Sequence, residues 1–107
     1  MRIIARRTLR QFVKRLHGHK DQRAVESALR SWFHEVQACN WKSPADVTAS
    51  YANASIVGKD RVVFNIKGNA YRLIAGIDYR RQIVFIKWIG SHAEYDRIDV
   101  KTVRYGN

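Results

Sequence analysis

A chain of 107 residues with 46% hydrophobic and 27% charged side chains can bury one core, and its balance excludes a disordered segment. A formal net charge of +11 and a pI near 10.4 exclude a neutral surface and point to an anionic partner: nucleic acid, an acidic protein or a membrane surface. A single cysteine, Cys39, excludes an intramolecular disulfide and suits a reducing cytosol.

The charge falls in blocks. Residues 1–23 carry eight Lys/Arg against Asp21 alone, residues 24–60 are nearly neutral, and residues 61–107 carry nine against four acids. One basic face assembled from both ends is therefore expected. The opening MRIIARRTLRQF is charged from its second residue and has no long apolar run. Neither a secretory leader nor a membrane span is expected, and the expected location is the cytoplasm.

In chain order, MRIIA reads as a short strand that enters a first helix near Thr8. There Leu9, Phe12, Val13 and Leu16 repeat at i, i+3, i+4 and i+7, an apolar stripe for a core. Arg6, Arg7, Arg10, Lys14 and Arg15 surround that stripe and would bind backbone phosphate. HGHKD breaks the helix, and Asp21 is the expected N-cap of a second one. That helix carries Val25, Ala28, Leu29, Trp32, Phe33 and Val36 and ends near Cys39, a half-buried apolar residue rather than a nucleophile. Pro44 suits the first position of a short third helix.

From Arg61 the period turns from helical to alternating. Strands are expected at 61–67, 70–78 and 82–89, with turns at Gly68-Asn69 and near Arg80-Arg81. These turns pair Phe64 with Leu73, Asn65 with Arg72, Ile86 with Ala75 and Lys87 with Ile74. Opposed residues share a face. One face then holds Val62, Phe64, Ile66, Tyr71, Leu73, Ala75, Ile77, Val84, Ile86 and Trp88, all uncharged, to meet the helix stripes. The other is mixed: Val63, Asn65, Arg72, Ile74, Gly76, Ile83, Phe85, Lys87 and Ile89. The whole reads as one compact α+β domain over residues 1–107, helices ahead of an antiparallel meander.

GSHAEYD follows the strand bearing Lys87. Ser91 and Glu94 form an S-x-x-E capping box, so a short C-terminal helical turn is expected from His92. His92, Tyr95 and Asp96 lie at i, i+3 and i+4, on one side of that turn, and capping does not explain them. A histidine, a tyrosine, an arginine and a lysine on a basic surface are the parts of a metal-independent ribonuclease, because the RNA 2′-OH is itself the nucleophile. In that reading His92 is acid or base, Arg72 and Lys87 balance phosphate charge, and Tyr95 orients a base or a proton. Asn65 and Asp96 would contact RNA or hold the site. A plainer reading stands beside each: His92 as a surface residue, Tyr95 as packing, Arg72 as a partner for Asp96 or Asp99, Lys87 as a solvated strand charge. His17, His19 and Asp21 occupy a helix-to-helix loop with no cysteine partner, and no metal site and no cofactor is expected.

The run RVVFNIKGNAYRLIAGIDYRRQIVFIKWIGSHAEYDRID, residues 61–99, closely resembles the HigB-type toxins of type II toxin–antitoxin modules, within the broader RelE-like group. NWKSPADV and MRIIARRTLRQF resemble them as well. The resemblance implies a RelE-like fold and an endoribonuclease that cleaves mRNA, commonly on the translating ribosome. It also implies neutralisation by a helix-turn-helix antitoxin, with DNA reached only through that antitoxin and no membrane. Carried over by position, the family's recurring polar residues fall on Asn65, Arg72, His92, Tyr95 and Asp96. Ser91 stands where members often have threonine, which keeps the hydroxyl. Lys87 stands where they often have arginine, which keeps the charge but not the fork. The residues themselves leave two rival readings: a non-catalytic RNA-binding domain, with Phe85 and Tyr95 as a stacking platform, and an interaction module for an acidic protein.

Overall fold

The computed structural model describes residues 1–103. In chain order it runs β1 (Arg2–Ile4), α1 (Arg6–Arg15), α2 (Gln22–Ala38), α3 (Pro44–Ser50), β2 (Ser55–Val57), β3 (Arg61–Ile66), β4 (Tyr71–Asp78), β5 (Ile83–Ser91) and α4 (His92–Tyr95). The strands form one sheet in the order β1-β5-β4-β3-β2. The expected meander is its antiparallel centre. Two strands extend it: β2, a three-residue edge unmarked by periodicity, and β1, which pairs in parallel with β5 and makes the sheet mixed. Among the described residues no helix is long and apolar enough to cross a membrane.

The helix stripes lie on the expected sheet face. Leu9 and Phe12 of α1 and Val25, Leu29, Trp32 and Val36 of α2 are buried against Val62, Phe64, Ile66, Leu73, Ala75, Ile77, Val84 and Ile86. Phe64 is the hub. The rings of Trp32, Trp41 and Tyr51 lie 5.3, 6.1 and 5.2 Å from its centroid, and truncating such a residue costs about 3–5 kcal/mol. Pro44 opens α3 as expected, and Cys39 ends α2 half-buried, its thiol donating to the Glu35 carbonyl at 3.1 Å.

Two expectations need correction. Asp21 occupies the N-cap position of α2, but its carboxylate caps nothing; it faces the sheet instead and accepts from the Tyr71 hydroxyl at 3.0 Å. The second hairpin follows the expected register only from Asp78↔Ile83 to Ala75↔Ile86. A bulge between Ile74 and Ala75 then shifts it, so that Ile74 opposes Trp88, Leu73 opposes Ile89 and Arg72 opposes Gly90. Lys87 is the extra residue of the bulge and does not oppose Ile74. Since faces alternate with a period of two, one inserted residue exchanges the faces of everything after it. Ile89 therefore enters the core at 1% exposure and Trp88 leaves it for the mixed face.

That outer face is partly covered. Val63 and Ile74 are 3% and 0% exposed, and Arg61 on the same face donates to the carbonyls of Val100 and Val103 at 2.9 and 2.6 Å. The chain after α4 thus returns across the face, leaving Asn65, Arg72, Lys87 and Trp88 around its margin.

Candidate active site

α4 is four residues long and could not persist on its own, so its position rests on its contacts. Ser91 Oγ accepts from the Glu94 amide at 3.1 Å, and the Glu94 carboxylate accepts from the Ser91 amide at 2.9 Å, completing the expected capping box. The His92 amide donates to the Ala70 carbonyl at 2.9 Å, which ties the turn to the β3–β4 hairpin. Arg15, at the end of α1, reaches both Glu94 oxygens at 3.1 Å. Cap, hairpin and first helix fix one helical turn at the sheet margin.

That turn presents its side chains as the i, i+3, i+4 spacing requires. His92 Nδ1 lies 3.3 Å from Asp96 Oδ2, and the His92 side chain is exposed. Arg72, two residues beyond Ala70, places its guanidinium 5.7 Å from the Tyr95 ring centroid, within cation–π range. The Arg72 fork also donates to the backbone carbonyl of Asn69 at 2.9 Å and to the Asn69 side-chain oxygen at 2.5 Å. It pairs with neither Asp96 nor Asp99; its anchor is the hairpin turn. Asn65 is exposed and stands directly across the ladder from Arg72. Asn65, Arg72, Tyr95, His92 and Asp96 thus gather at one margin of the outer face.

Lys87 is set differently. As the bulge residue its chain leans over Gly76 and brings Nζ to 5.3 Å from the Phe85 ring, toward the start of β5 rather than toward α4. The N-terminal basic block also divides. Arg15 is paired to α4, whereas Arg6, Arg10 and Lys14 line an open groove of about 280 Å³ between α1 and α2. Arg6 packs over Phe33 at 4.7 Å, and Arg7 is exposed. One helix of ten residues separates Arg6 from Arg15 by roughly 14 Å at 1.5 Å per residue, so the block is a stripe rather than a point.

A second cluster backs the hairpin turn from the core side. Asp21 accepts from Tyr71 and lies 3.3 Å from Lys67 Nζ and 3.9 Å from His19. Burial alone would raise its carboxyl, but the Tyr71 hydrogen bond and the neighbouring cations outweigh that and hold it below the usual carboxylate range. Burial, then the bond to Asp21, pushes the Tyr71 hydroxyl up. His17 takes no part, and among the described residues no group of three or more His, Cys, Asp or Glu is placed to hold a metal.

Of the residues that the expected register misplaced, Trp88 borders this site: its ring centroid lies 6.4 Å from that of Tyr95, and the sign of its orientation is the register shift that brings Ile89 inside.

A small basic α+β domain, with helices on one face of a mixed sheet, thus carries a histidine–carboxylate pair and a guanidinium over a tyrosine at one sheet margin. Comparison with protein families is more specific: residues 25–98 match the model of the HigB_toxin family, the RelE-like toxic component of a toxin–antitoxin system. The match spans well over half of the chain, and the chain belongs to that family. Comparison with curated proteins finds no match.

Proposed function

We propose that this toxin is an endoribonuclease that cleaves mRNA on the translating ribosome without a metal ion. The observation that carries the reading is the convergence on α4 of the His92–Asp96 pair and the Arg72–Tyr95 pair. In the reaction the RNA 2′-oxygen forms a bond to its own phosphorus and the bond to the 5′-oxygen breaks. The 2′ proton passes to a base and another proton reaches the leaving oxygen, giving a 2′,3′-cyclic phosphate and a 5′-hydroxyl. Asp96 holds Nδ1, so His92 moves its proton at Nε2, as base to the 2′-OH or as acid to the 5′-oxygen. Arg72 stabilises the developing phosphate charge while Tyr95 and Asn65 position the nucleotide. Lys87 and the stripe of Arg6, Arg7, Arg10, Lys14 and Arg15 supply longer-range attraction to phosphate.

The partner implied by the family is an antitoxin, here proposed to be of the helix-turn-helix HigA type, which would carry any contact with DNA. The proposed compartment is the cytoplasm. The test is end-group analysis of cleaved message, with and without ribosomes, for wild type and His92→Ala. Cyclic phosphate and 5′-hydroxyl ends only in the translated message, absent in the variant, are expected. Products with 3′-hydroxyl and 5′-phosphate ends would sink the cyclisation route. The second reading, a non-catalytic RNA-binding domain, draws on the position of Lys87 away from α4 and of Phe85 beneath it. There RNA is retained and no ends are produced by either protein.

A further inference from the structure

The bulge that admits Ile89 to the core exposes the neighbouring indole. Of the three tryptophans, Trp32 and Trp41 are 3% and 2% exposed, while Trp88 is half-buried on the outer face opposite Ile74. Its ring lies flat along the strand across Gly90. A Cβ added at Gly90 would sit 2.4 Å from Cη2 and 2.5 Å from Cζ2 of the indole. Gly90 does not adopt a positive φ, so its backbone does not demand glycine; the indole does. Beside Trp88 stands Tyr95, with ring centroids 6.4 Å apart and planes at 50°, and over Tyr95 the Arg72 guanidinium.

Keeping a large apolar side chain partly in water while a smaller one is buried is unfavourable for folding alone. The arrangement gains a purpose if the ring meets a ligand. We propose that Trp88 and Tyr95 form a stacking platform for a nucleobase of single-stranded RNA, adjacent to the phosphate held by Arg72. Every base offers a π-face, so the platform accepts any base, and Arg72 adds a cation at its edge. The proposal rests on the reading of the site as one for RNA, but it concerns binding and requires no cleavage.

The platform predicts a signal that activity does not supply. Trp88 is the most accessible of the three fluorophores, so a stacked base should quench it. The probe is a short single strand bearing 2′-O-methyl groups throughout, which cannot undergo 2′-OH attack, and the same strand with its bases removed. Wild type should be quenched by the base-bearing strand. Trp88→Phe should bind within about threefold of wild type with the quenching gone. Trp88→Ala should bind the base-bearing strand about tenfold to hundredfold more weakly and the abasic strand as wild type does. Gly90→Ala, which keeps all three tryptophans but displaces the indole, should lose most of the quenching. Near-ultraviolet circular dichroism and the thermal midpoint confirm that each variant is folded.

Quenching that persists in Trp88→Phe would overturn the proposal. So would Trp88→Ala binding both strands as wild type does, or quenching by a protein ligand with none by RNA. Failure of the ribonuclease reading looks different: His92→Ala and wild type would quench alike and no cyclic phosphate would form. Cleavage without quenching would leave that reading standing and remove the platform.

Discussion

Two histidine–aspartate pairs flank the β3–β4 hairpin, His19–Asp21 at 3.9 Å on the helix side and His92–Asp96 at 3.3 Å on the outer side. They share residue types and differ in what else claims the carboxylate. Asp21 is 17% exposed at its side chain and is held by Tyr71 and Lys67, so its oxygens are committed. Asp96 is 61% exposed, and among the described residues its ion-pair partner is His92 alone. The first pair has become part of the scaffold under the turn. The second keeps one side toward solvent, where a substrate can arrive. A histidine beside an aspartate is therefore uninformative until the other partners of the aspartate are known.

The largest effect should separate the two histidines. His92→Ala is expected to lower the cleavage rate by about 10²–10⁴, the usual contribution of a positioned proton-transfer group, with little change in thermal midpoint. His19→Ala, at an exposed loop, is expected to leave cleavage unchanged. Primer extension on a translated message checks both. Equal loss in the two variants would erase the contrast.

Stability should show the reverse preference. Tyr71→Phe removes a hydrogen bond to a charged acceptor and should cost about 2 kcal/mol in urea unfolding, while Asp96→Asn should be nearly neutral. The pH dependence follows from the lowered Asp21 carboxyl. Its contribution is fully present above the ordinary carboxylate range and is lost as pH falls through the lower folded value. The stability gap between wild type and Asp21→Asn should therefore be widest at neutral pH and should close on acidification. Tyr71 has the opposite sign: its raised hydroxyl contributes below its ordinary range and loses that contribution as pH rises through the folded value. A gap that widened in acid would mean that Asp21 is not held by its cations.

Much of this contrast could be read before any coordinates. The first hairpin register, Phe64↔Leu73 and Asn65↔Arg72, follows from one tight turn and an uninterrupted alternation. The capping box follows from two side chains that can satisfy each other only at that spacing. The bulge did not follow, because Lys87 fits an alternating pattern as well as a bulge, and its cost is set by how Ile89 and Trp88 pack in three dimensions. Asp21 misled for a related reason. Sequence shows that it can cap α2, but not that Tyr71, fifty residues on, would offer a better donor. Edge strand β2 is three residues long, too short to show a period.

Arg72 sharpens the contrast from the outer side. Its fork grips the Asn69 carbonyl and side chain while its plane lies over Tyr95. Lysine keeps the charge and cannot do both. Arg72→Lys is expected to lower kcat/KM about tenfold through lost charge-assisted hydrogen bonding, with the fold intact and the pH profile unmoved. An unchanged kcat/KM would reduce Arg72 to a turn clamp.

The smallest effect concerns the strap between α1 and α4. Arg15 and Glu94 are 55% and 46% exposed at their side chains, and a pair in that position contributes about 0.5 kcal/mol. Glu94→Gln preserves an oxygen for the Ser91 amide and so keeps the capping box, but removes the ion pair. A double-mutant cycle with Arg15→Ala should give that small coupling, fading as salt rises. RNA binding should separate the two variants by sign. If Arg15 serves phosphate, Arg15→Ala weakens binding, whereas Glu94→Gln frees the guanidinium and strengthens it. If Arg15 serves only the strap, both variants loosen α4 and both weaken binding. The sign of the Glu94→Gln effect therefore decides whether the basic stripe on α1 extends to the His92 side of the hairpin or stops short of it.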